Sequence, residues 1–138
     1  MVMGLLAGCG ASTADVARQI QAIDGVENAK VDVRRPGAPW NRTGMMVVQV
    51  APGADYRETM VASFLVLAQA FPDDNHNLVA TFTTDSDLNV TASTTPLPGM
   101  EELIESLPFY ARPLDDSGVS ANPGDILAWA KENGYVVE

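Results

Sequence analysis

Residues Met45–Thr84 read MMVVQVAPGADYRETMVASFLVLAQAFPDDNHNLVATFTT, and the periodicity of this stretch changes twice. Met45–Ala51 is almost wholly apolar, as expected of a strand buried on both faces and therefore central in its sheet. Pro52 and Gly53 close it. Asp55 is placed to cap a helix, with Glu58 three residues on as its capping-box partner. Tyr56, Met60, Phe64, Leu67 and Phe71 then form one apolar stripe at helical spacing. Pro72 stops the helix. From Leu78 the pattern alternates, with Leu78, Ala80 and Phe82 expected to point inward. The stretch is a strand, a helix and a second strand.

Upstream, Ser12 or Thr13 can cap a first helix whose first turn carries Asp15 and whose apolar face is Val16, Ile20 and Ile23. Gly25 ends it. VENAKVDVRR, from Val26, reads as a strand with Val31 and Val33 alternating against Asp32 and Arg34. RPGAPWNRTG is a loop. Downstream, LNVTAS is expected to fold back on LVATFTT around Asp85-Ser86-Asp87 as a hairpin, with Leu88, Val90 and Ala92 inward. A short helix follows, with Met100, Leu103, Ile104 and Leu107 apolar. PFYARPLDDSGVSANPG reads as a long connection. The last helix has Asn122 as cap, Pro123 in its first turn and Gly134 after its end. Ile126, Leu127 and Ala130 are its inward residues, with Trp129 flanking, and Tyr135–Glu138 can add an edge strand.

This order predicts an α+β fold: an antiparallel sheet of four or five strands with helices packed on one face. The first five elements resemble a ferredoxin-like split βαβ arrangement lacking its first strand. Asp24-Gly25-Val26 before a strand is also similar to small heavy-metal-associated domains. Their metal-binding cysteine pair is absent, so shape alone would carry over.

Composition narrows the function. The chain has 138 residues and a formal net charge of −10. One domain of this size buries roughly two-thirds of its unfolded surface without a disulfide or metal staple. The acidic balance argues against nucleic-acid binding, which draws its affinity from basic patches, and against electrostatic docking on an anionic membrane. A single cysteine excludes an internal disulfide and any CxxC site. No apolar run reaches the roughly 18 residues that span a bilayer.

That cysteine follows MVMGLLAG, an apolar, uncharged run of small residues resembling the end of a secretory h-region. Leu6-Ala7-Gly8-Cys9 resembles the lipobox of bacterial lipoproteins. The resemblance implies that Cys9 receives a lipid on its sulfur and becomes the N-terminus after cleavage. Two or three acyl chains make such an anchor stable. Residues 1–8 are then the remnant of a signal peptide whose h-region extends further upstream. Residues 9–12 are the lipid anchor and a short tether, and 13–138 a single α+β domain. So short a tether holds the first helix close to the membrane surface.

Other chemistry is sparse. Asp73, Asp74 and His76 offer oxygen and nitrogen ligands to a metal, but Asp and Asn after a helix-ending proline are ordinary turn formers. Asp85-Ser86-Asp87-Leu88-Asn89 resembles the start of a calcium loop, yet Val90 stands where the glycine belongs and Pro96 where the glutamate does. No nucleophile elbow, phosphate cradle or converging carboxylate pair is legible. The expectation is no catalysis, no metal and no cofactor. Two aromatic loops can contact a ligand or partner: Trp40 with Arg42, and Phe109 with Tyr110 and Arg112. The plainer reading is that these aromatic rings fold back onto the domain. The sequence thus points to an envelope lipoprotein, lipid-anchored on the extracytoplasmic face of the cell membrane. Its role would be non-catalytic binding or structure, with an envelope protein as a possible partner. The alternative is a soluble cytoplasmic α+β domain that binds a ligand or regulates a partner.

Overall fold

The computed structural model of the chain describes residues 12–34, 43–73, 75–91, 93–114 and 117–134. Helix α1 (Thr13–Gln21) leads to strands β1 (Val26–Arg34) and β2 (Thr43–Val50), then helix α2 (Tyr56–Ala70) and strand β3 (Leu78–Thr83). Helix α3 (Met100–Ser106), strands β4 (Ala111–Pro113) and β5 (Gly118–Ala121), and helix α4 (Pro123–Glu132) complete the order. Among the described residues, no helix is long and apolar enough to cross a membrane.

The helix starts follow their capping chemistry. Ser12 and Asp15 form a reciprocal capping box on α1. Asp55 Oδ1 accepts the Glu58 N–H at 3.1 Å to open α2, and Asn122 Oδ1 accepts the Gly124 N–H at 2.8 Å to open α4. Each satisfies an N–H that the first helical turn leaves without an internal partner.

The five strands form one sheet in the order β1-β2-β3-β5-β4. β2 is interior, as its apolar run implies. The sheet is mixed rather than antiparallel: β1 runs antiparallel to β2, but β2 and β3 pair in parallel, Met46 opposite Ala80 and Val48 opposite Phe82. This corrects the ferredoxin-like expectation. A split βαβ unit keeps another strand between the two that its helix joins. Here no strand stands between them, and the two pair directly on either end of the α2 crossover.

The expected second hairpin is also corrected. LNVTAS forms no strand with β3; Leu88 is half-buried and Val90 is 46% exposed, while Ala92 lies outside the described residues. Polar side chains beside it bond the local backbone instead. Asp87 Oδ1 accepts the Asn89 N–H and Asp85 Oδ2 the Thr95 N–H. Thr83 Oγ1 donates to the Thr95 carbonyl at 2.6 Å. Such local bonds compete with a ladder. The free side of β3 is taken by β5, within the stretch read as a connection. β5 also pairs with β4 in a hairpin closed by Leu114 N–H to the Gly118 carbonyl at 3.0 Å. The possible strand at 135–138 lies outside the described residues.

One face of the sheet carries Ala29, Val31, Met46, Val48, Leu78, Ala80, Phe82 and Val119, all buried. α2 lies on this face through Met60, Phe64 and Leu67, each fully buried, with α1 and α4 packed against it. Gly44 is the point of closest approach: a Cβ there would sit 2.6 Å from Phe71 and 2.9 Å from Leu67. The other face carries Thr43, Met45, Val47, Gln49, Val79, Thr81, Ser120 and Arg112, and no described helix packs on it. With the described helices gathered on one side, the other face is left to form a cleft.

Candidate functional site

Register assembles the site. Met45 pairs with Val79, Val79 with Ser120, and Ser120 with Arg112, so four strands place these side chains in one row across the helix-free face. Beside the row the α2–β3 turn brings in Asn75, His76 and Asn77. Together with Thr43 and Leu114 these residues, except Met45, line a cleft of about 560 Å³. That volume lies within the range of small-molecule sites.

The turn is held from both ends. Asp73 Oδ1 accepts the Asn75 N–H at 3.0 Å. Asn77 Oδ1 accepts from Asn122 Nδ2 at 3.2 Å, while Asn122 Oδ1 caps α4. One asparagine therefore ties the cleft wall to a helix start on the far side of the sheet.

The cleft is rich in unused polar groups. Thr43 is 2% exposed, and its Oγ1 is buried with no hydrogen-bond partner. A buried hydroxyl without a partner costs on the order of 1–3 kcal/mol. Among the described residues, the Arg112 guanidinium, the Ser120 hydroxyl, the His76 ring and the Asn75 side-chain amide also have no partner. Three other described basic groups differ, whereas Lys131 in the last turn of α4 also has no acidic partner among the described residues. Arg18 pairs with Asp15, Lys30 lies 3.9 Å from Asp32, and Arg57 bonds the Ser106 carbonyl and lies 3.5 Å from Glu58. No carboxylate is among the described residues that line the cleft, and Val79 and Leu114 give it an apolar side.

The residues singled out from sequence separate. Cys9, Trp40, Arg42 and Asp74 lie outside the described residues. Asp73 is engaged in the turn, as a turn former should be, and the described residues hold no group of three or more metal-ligating side chains. Phe109 is a core residue at 7% exposed, its ring 5.8 Å from those of both Phe64 and Trp129. That burial follows the plainer reading of an aromatic that folds back. Its neighbour Tyr110 is 70% exposed and borders a separate groove with Leu107 and Pro108. Arg112 alone of that segment reaches the cleft. Sequence reasoning missed Thr43 and Ser120. The strand status of Gly118–Ala121 was the signal that would have aligned Ser120 with Arg112, and a small-residue run of four gives almost none.

In comparisons with known proteins, no family model, no curated protein and no solved structure matches this chain.

Proposed function

We propose that the protein is a lipid-anchored lipoprotein of a bacterial envelope whose α+β domain serves as a non-catalytic binding module. The observation that carries the anchor is Leu6-Ala7-Gly8-Cys9, placed three residues before Ser12, the cap of α1. A segment of that length reaches about 10 Å at most, so α1 stays beside the bilayer. The binding role is supported by the cleft on the helix-free face, whose polar side chains lack partners. A structural or partner-docking role on an envelope protein belongs to the same reading, with Tyr110 as its exposed aromatic.

Fractionation tests the anchor. The protein in its native cells is expected in the membrane pellet, released by detergent but not by salt or carbonate. Cys9→Ser should leave it unprocessed or release it. Equal partition of both forms into the soluble fraction would instead support the soluble cytoplasmic reading.

A further inference from the structure

We propose that the cleft on the helix-free face binds a small organic oxyanion, a molecule bearing a carboxylate or phosphate group, clamped by Arg112 with the hydroxyls of Thr43 and Ser120. The inference rests on the domain being a binding module, and it is independent of lipidation at Cys9.

Three observations carry it. First, among the described residues Arg112 has no carboxylate partner, in a chain of net charge −10 where acidic groups outnumber basic ones and three other basic side chains have found acidic neighbours. A guanidinium presents paired donors that match a carboxylate or phosphate edge. Second, Thr43 Oγ1 is buried and unpartnered at the same cleft. Buried polar groups are almost always satisfied, so an orphan lining a cleft marks a place for a ligand atom. Third, the lining combines donors with an apolar side at Val79 and Leu114, which suits an organic body carrying one charged end. Ser120 is the Cα partner of Arg112, so the hydroxyl and the guanidinium approach one group from adjacent strands. The chain's overall charge repels anions at long range, but salt screens that field within about 8–10 Å, and the lining groups decide the outcome.

The test is a titration of the full chain followed by ¹H–¹⁵N NMR at constant ionic strength. The probes are sodium succinate, methyl phosphate and neutral succinamide. Saturable shifts confined to residues 43, 75–77, 112–114 and 118–121 are expected with succinate, with methyl phosphate, or with both. The pattern names the oxyanion. Arg112→Gln should weaken binding about tenfold or more, and Arg112→Lys should recover part of the loss. Thr43→Val should weaken it several-fold with no drop in thermal midpoint. Three results would overturn the proposal: equal shifts with succinamide, unchanged affinity in Arg112→Gln, or no saturable shift by about 50 mM. An unlipidated chain that still titrates would remove the anchor and keep the cleft. A lipidated chain that does not titrate would do the reverse.

Discussion

Single residues show where this domain trades stability for a site. Thr43 is the sharpest case, because valine keeps its shape and deletes only the orphan hydroxyl. Thr43→Val is expected to leave the midpoint of urea unfolding unchanged or raise it by about 1 kcal/mol equivalent. A loss above about 1 kcal/mol would mean that the hydroxyl has a structural partner. Gly25 is the opposite case. Its φ of 93° is one that side-chain-bearing residues rarely adopt, and a Cβ there would lie 2.6 Å from Thr59 Oγ1. That hydroxyl donates to the Asp24 carbonyl at 3.2 Å, fixing the α1–β1 turn against α2. Gly25→Ala is therefore expected to cost at least about 1–2 kcal/mol in urea denaturation, and a neutral result would place the turn elsewhere.

Elements with strong local signals were legible in the sequence, and those without were not. The caps on α1, α2 and α4 and the apolar stripe of α2 could be read directly, because capping oxygens and a helical period are local properties. β4 and β5 could not. Ala111-Arg112-Pro113 is short and contains a proline, and Gly118–Ala121 has no alternation, since its residues are buried on both faces by their place in the sheet. LNVTAS failed in the other direction: it alternates, but Asp87, Thr91 and Thr94 side chains satisfy its backbone locally. Val90→Ser is accordingly expected to change stability by less than about 0.5 kcal/mol, whereas Phe82→Ala, in the core beside Phe64, should cost about 3–5 kcal/mol. A large cost at Val90 would restore the hairpin. Asn122 joins two elements. Asn122→Ala should lose about 1 kcal/mol with the α4 cap and also shift the amide resonances of residues 75–77, which a cap acting alone would not move.

For the whole molecule, the division into a helix-covered face and a face without a described helix follows from the parallel pairing of β2 and β3. A right-handed crossover through α2 commits the helix to one side, and the other helices gather on it. The site belongs to the side left over. Its members come from four strands and a turn, distant in sequence and united by register, which is why motif reading reached Arg112 and His76 separately and never as one cleft. The anchor is the reverse: four consecutive residues carry the whole signal, and it needs no fold at all. The two proposals together describe a domain that Cys9 would hold at a membrane and whose cleft would receive a ligand. The most direct measurement is the intact mass of the chain purified from its native membrane fraction. The account predicts a chain that begins at Cys9 and carries the added mass of a diacylglyceryl group. A chain that retains the residues before Cys9 and bears a free thiol there would contradict it.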